Sequence, residues 1–226
     1  MAFFNTLIAQ TGDSRQNLID TPFVQACLRS EVWPESYRAF LQETYHHARH
    51  TVPILRACRD ALKDRPVWLV AALDEYIDDE QGHGGRILND ITASGGDAQS
   101  VRHGTPGAAT EILVACAYDM IDRHQAIGVF GMLHVLEGTT VALALAATDR
   151  IQQGLRWPDQ AFTYLRSHGT FDRERIAQFA MLMDEIDKEI DRRTIIDSAR
   201  MFYRLYGDML RSLPQVSLRS AHCDPA

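Results

Sequence analysis

Alternating runs of β-branched and aromatic residues, the mark of strands, are nearly missing from this chain, while apolar residues recur at helical spacing throughout. A β-rich or alternating β–α architecture is therefore excluded as an expectation. Cysteines are few and scattered: Cys27, Cys58, Cys116 and Cys223 form no C-x-x-C pair. Neither a disulfide framework nor a structural zinc site is expected, and reduced thiols suit a cytoplasmic protein. There is no concentrated basic face either. The formal charge is −7 with both signs interspersed, which argues against a nucleic-acid partner.

Long apolar runs are limited to one, Ile127 to Ala147, which carries His134 and Glu137 near its middle. That content fits the central helix of a bundle better than a membrane span, so no membrane association is expected. Met1 to Thr11 has an apolar stretch but lacks a basic start and a small-residue cleavage site, so no signal peptide is read there. No internal repeat or second domain is visible. Residues 1–213 read as one helical bundle and residues 214–226 as a frayed tail.

The helical pattern divides at Pro and Gly into about seven or eight segments. A short first helix is expected over Phe3–Ala9, and a second after Asp20 with Pro22 in its first turn. The third opens near Pro34 and runs to about Leu62, bent or broken at Pro53. The fourth runs from Pro66 to the Ser94-Gly95-Gly96 stop, and a loop follows to Pro106. A fifth then ends near His124, and the apolar run forms the sixth. Trp157-Pro158-Asp159 opens a seventh, interrupted near Gly169, and an amphipathic eighth covers roughly Asp187 to Leu213. The fold class is all-α.

A titratable residue on a core-facing stripe has to be neutralised, paired or metal-bound. The fourth segment reads Leu73, Ile77, Glu80, Gly84, Ile87, Ile91, with His83 three residues after Glu80 on nearly the same face. Gly82, Gly84 and Gly85 flank His83 and leave room for close helix packing or a narrow access channel. In the apolar run, His134 and Glu137 are the titratable residues. Glu137 there requires a cation, a proton or a buried ion pair, with Arg175 as a partner to weigh. The seventh segment reads Leu165, His168, Asp172, Ile176, Phe179, Met183, with Arg175 at the edge of the stripe. Three helices thus place carboxylate or imidazole on core faces. That donor set, without thiolate, suits iron or manganese. Glu43-x-x-His46 repeats the spacing of Glu80-x-x-His83 and is read as surface or supporting decoration.

Four stretches carry a family resemblance: Tyr45-His-His-Ala-Arg-His-Thr-Val-Pro53, Asp79-Glu-Gln-Gly-His83, Gly131-Met-Leu-His-Val-Leu-Glu-Gly138 and His168-Gly-Thr-Phe-Asp172. Together they resemble the heme-oxygenase-like diiron oxidases and oxygenases, whose seven-helix fold is shared by TenA-type thiaminases and pyrroloquinoline-quinone synthase. The resemblance implies that fold. It also implies a ligand set of Glu80, His83, Glu137, His168 and Asp172, one or two Fe(II) ions, and O₂ as co-substrate for oxidising a small organic molecule of the amino-acid or fatty-acid class. The last histidine of the family's H-x-x-x-D-x-x-H run falls on Arg175, which cannot ligate a metal. The site of Glu80, His83 and His168 stays complete, and the second is depleted. Either the Arg175 guanidinium neutralises Glu137 or Asp172 in place of a second ion, or it turns to a substrate carboxylate while His134 supplies an imidazole. Two other readings stand beside this one. One is a metal-free TenA-like enzyme with Cys116 as nucleophile; the other is a non-catalytic metal-binding bundle with a decayed second site. A homodimer through the amphipathic last helix is compatible with the pattern.

Overall fold

A computed structural model describes residues 2–123, 125–169 and 172–215, apart from the side chains of 137, 139–146, 168, 169 and 172–174. Within them lie eleven α-helices and two single 3₁₀ turns, and no strand among the described residues. The helices are α1 (Phe3–Ile19), α2 (Pro22–Leu28), α3 (Pro34–Ala61), α4 (Val67–Glu80), α5 (His83–Ala93), α6 (Ala98–His103), α7 (Ala108–Asp122), α8 (Val129–Leu155), α9 (Thr163–Gly169), α10 (Asp172–Asp184) and α11 (Glu189–Ser212). The excess over the expected seven or eight comes from the division of the expected fourth helix, from α6, and from α9 and α10 being described on either side of residues 170–171. The α6 helix replaces part of the expected loop because Asp97 accepts hydrogen bonds from the Gln99 and Ser100 amides and caps it.

Two departures shape the site. First, α1 runs on to Ile19, well past Ala9. Gly12-Asp13-Ser14 does not stop it, because burial of Phe3, Leu7, Thr11 and Leu18 holds one face against the body. Second, the expected fourth helix is two. Gln81 is extended and Gly82 has φ +88°, a left-handed conformation that glycine adopts at little cost, so the chain turns between α4 and α5. The neighbouring glycines do not serve close packing: a Cβ on Gly85 would meet nothing within 4 Å, and one on Gly84 would touch the Tyr45 ring at an ordinary 3.6 Å.

Pro53 does not break α3, which is continuous over 28 residues. Its ring sits on the exposed side of the helix, where water can take the carbonyl that loses its amide partner. At the centre, α11 packs against α8, α1 and α7, while α3 packs against α4, α5 and α7. The α8–α11 seam is so close that a Cβ on Gly131 would lie 2.4 Å from the Ile195 carbonyl oxygen. Ser198 adds a buried hydrogen bond to the Gly128 carbonyl, 2.6 Å. The apolar face of α11, including Ile195, Phe202, Tyr206 and Leu210, is buried within the chain itself. That face is therefore spent on the core and is not the one through which two copies could pair. Among the described residues, no helix is long and apolar enough to cross a membrane.

Candidate functional site

Glu80 is the last residue of α4 and His83 the first of α5, so the pair straddles the Gly82 turn instead of sharing one helical face. The turn nevertheless brings them together: His83 Nδ1 lies 2.8 Å from Glu80 Oε2, with both side chains about one-tenth exposed. The Tyr164 ring of α9 meets the His83 ring edge-on, 6.1 Å between centroids. That contact is set by Asp90, which no sequence pattern singled out. Fully buried on α5, Asp90 accepts from the Thr163 hydroxyl and from the Tyr164 amide at 2.8 Å, capping the first turn of α9. Burial raises its pKa and these hydrogen bonds pull it back down.

His83 faces a cavity of about 500 Å³. Its walls come from one stripe of α1, the α4–α5 turn, α8, α9, α10 and α11. Phe4, Ile8, Leu133, Ile176 and Phe179 make the lining largely apolar, with Arg15, Asp78, Asp79, Arg86 and Arg175 among them. His134 lies in this lining, stacked on Phe179 at 5.9 Å and edge-on to Tyr203 at 6.1 Å. Burial, with a smaller push from Arg15, lowers its pKa to about 4, so the ring is neutral at neutral pH.

His47, read in sequence only as part of a family-like stretch, proves to be a buried member of this neighbourhood. It projects from α3 against Tyr206, ring centroids 5.8 Å apart, and neither ring nitrogen has a hydrogen-bond partner. Burial lowers its pKa to about 4, although the Glu80 carboxylate, near enough to act on it, pulls the other way. The one signal for it in the sequence was an imidazole amid the apolar spacing of α3.

The residues singled out from sequence separate as follows. Glu80 and His83 are brought together, and His134 lines the same cavity. The side chains of Glu137, His168 and Asp172 lie outside the described residues, but Gly138, Ser167 and Arg175, close to them in the chain, line the cavity. Arg175 forms an ion pair with Asp79 of α4, an acid not weighed as its partner from sequence. Glu43 is drawn elsewhere: it accepts from the Gly107 amide at 3.1 Å and from the Thr110 hydroxyl, anchoring the start of α7. Cys116 sits on α7 and is not part of the cavity lining; burial raises its pKa and its Sγ lies 3.4 Å from Met201 Sδ. Cys116, the nucleophile of the metal-free reading, thus stands apart from this cavity.

Among the described residues no three His, Cys, Asp or Glu side chains converge. Glu80 and His83 hydrogen-bond to each other, and with the shared proton removed their spacing would fit one ion. Two neighbouring donors on one first-row divalent ion lie roughly 3 Å apart, close to what is seen here. The buried His47 ring has no hydrogen-bond partner, but it does not converge with Glu80 and His83 into a three-donor group.

Residues 38–207 match the model of a family described as iron-containing redox enzymes. Among solved structures, a domain of unknown function with a heme-oxygenase-like fold from Shewanella denitrificans is similar at TM-score 0.82 and 20% identity, covering 91% of this chain and 89% of that one. A TenA homologue from Pseudomonas syringae gives 0.77 at 11%, covering 92% and 91%. Heme oxygenase from Leptospira interrogans gives 0.73 at 13%, covering 94% and 100%. Identities this low establish the fold alone, and the fold is heme-oxygenase-like, as the four motifs implied. No curated protein matches the sequence.

Proposed function

The chain belongs to the iron-containing redox enzyme family, and from that premise we propose that it is a non-heme iron oxidase or oxygenase acting with O₂ on a small organic substrate. The observation that carries this reading is the buried Glu80–His83 pair, 2.8 Å apart at the wall of a largely apolar cavity of about 500 Å³. Glu80 and His83 would hold the ion, with Glu137, His168 and Asp172 as the candidates to complete its shell. Iron bound there would supply the electrons and open coordination positions that O₂ chemistry needs.

The chain's own residues have definable tasks. Tyr164 and the Asp90 cap fix the His83 ring from α9. His47 stays neutral at physiological pH because burial disfavours its charged form, so it adds no positive charge beside Glu80 to compete with a cation. Leu133 and Phe179, both buried, keep bulk water away from their side of the cavity. The Asp79–Arg175 pair ties α4 to α10 at the edge of the cavity.

Anaerobic Fe(II) titration followed by elemental analysis tests the reading. Wild-type protein is expected to retain one or two equivalents of iron, with His83→Ala and Glu80→Ala losing it. No more than trace iron in the wild type, as in His83→Ala, overturns the proposal. Substrate-triggered O₂ uptake then separates an enzyme from a bundle that only binds metal.

A further inference from the structure

Most charged residues of the cavity lining stand at its rim. Arg15, Asp78, Asp79 and Arg86 are exposed to solvent, and Arg175 pairs with Asp79. The buried part of the wall is mainly apolar, with Leu133 of α8 and Phe179 of α10. Two polar side chains interrupt it, His134 of α8 and Tyr203 of α11. Their rings meet at 87°, centroids 6.1 Å apart. Phe179 stacks on the His134 ring at 5.9 Å, and Phe4 meets it edge-on at 6.3 Å. Rings from α1, α10 and α11 therefore hold the imidazole in place.

Tyr203 is only 3% exposed, and among the described residues neither it nor His134 has a hydrogen-bond or ion-pair partner. A buried polar group without a partner is destabilising. A phenylalanine at position 203 would fill the same space and keep the ring contact without that cost. Burial also disfavours the charged form of each ring: it lowers the His134 pKa to about 4 and raises that of Tyr203. At neutral pH the pair is uncharged. It offers a phenol hydroxyl, together with one protonated and one bare imidazole nitrogen.

We infer that His134 and Tyr203 form an uncharged subsite for the hydroxyl of an alcohol or phenol whose apolar body lies against Phe4, Leu133 and Phe179. A hydroxyl both donates and accepts, so one such group can serve the Tyr203 phenol and a His134 nitrogen together. A carboxylate only accepts and an ammonium only donates, and each would bring an uncompensated charge against the apolar wall. The inference rests on the reading of this cavity as the substrate site, but it does not require iron. The two residues act here in specificity.

The test is calorimetric titration of the full chain in EDTA with 3-phenylpropan-1-ol, its methyl ether, 3-phenylpropanoate and 3-phenylpropylammonium. The alcohol is expected to bind about tenfold more tightly than the ether, which cannot donate, and than either ion. Tyr203→Phe and His134→Phe keep the rings packed, and each erases most of that advantage while leaving ether binding and melting temperature unchanged. His134→Gln, which still donates and accepts, keeps part of it, and Arg15→Gln keeps all of it. Equal binding of alcohol and ether by the wild type, tighter binding of either ion, no binding of the alcohol, or an advantage that survives both Phe variants overturns the inference. Should iron titration fail while the alcohol preference persists, the oxygenase reading falls and the subsite stands; iron retained without that preference removes the subsite alone.

Discussion

Two segments of this chain share one spacing, Glu43-x-x-His46 and Glu80-x-x-His83, and the fold uses them differently. The first lies inside the unbroken α3 helix, where Glu43 reaches across to the amide of Gly107 and the hydroxyl of Thr110. There a carboxylate at a helix N-terminus satisfies orphan donors and meets the positive end of the dipole. The second crosses a helix break, and Glu80 turns onto His83 beside a cavity. Spacing alone does not make a metal site. What separates the two is the left-handed Gly82 turn, and whether another helix N-terminus competes for the carboxylate.

The largest expected effect is on iron affinity: His83→Ala should lower it more than about a hundredfold, beyond what loss of a supporting partner costs. His46→Ala should leave it unchanged. Equal losses from the two variants, measured by competitive Fe(II) titration, would erase the distinction between the motifs.

Next comes pH. His47 and His134 are neutral in the iron-free fold, with pKa values lowered to about 4 from 6.5. Because the unfolded chain binds the proton more readily, their contribution is complete above about pH 6.5 and is lost as pH falls towards 4. Each uncoupled ring then costs about 1.4 kcal/mol per pH unit, roughly 3 kcal/mol over the window. Urea unfolding at stepped pH should show that slope, and His47→Gln should flatten it.

A smaller effect belongs to the capping carboxylate. Glu43→Ala should destabilise the protein by about 1–2 kcal/mol, through loss of the α7 cap, with iron affinity intact. Thermal melting and metal titration on the same sample check both halves. The smallest change is expected from Gly82→Ala, about 1 kcal/mol for placing an alanine at φ +88°. If the turn is what closes the pair, that variant weakens iron binding as well; unchanged affinity would show that Glu80 and His83 meet without it.

Much of the helical order was readable because it rests on local rules. Pro22 and Pro34 stand at the first positions of α2 and α3, where the missing amide costs nothing. The α4–α5 break was not readable, since the stripe Leu73, Ile77, Glu80, Gly84, Ile87 continues in phase across it. Asp90 was equally silent: its partners Thr163 and Tyr164 lie more than seventy residues away in the chain, and an aspartate within a helix gives no hint of a remote cap. The extension of α1 past Gly12 depended on packing against α11 and α10, which overrides weak helix formers.

The sequence by itself determined the all-α class and the family motifs, because periodicity acts within a turn or two of chain; it singled out Glu80 and His83 as neighbours on one helical face, where the fold joins them across the Gly82 turn instead. Tertiary structure alone decided that Glu43 leaves its histidine for α7, that His47 is buried without a hydrogen-bond partner, and that residues of α1 line one cavity with His83, His134 and Tyr203. Those outcomes are pairings between helices distant in sequence. No local pattern encodes which helix end or which unpaired charge a given side chain will meet once the bundle closes.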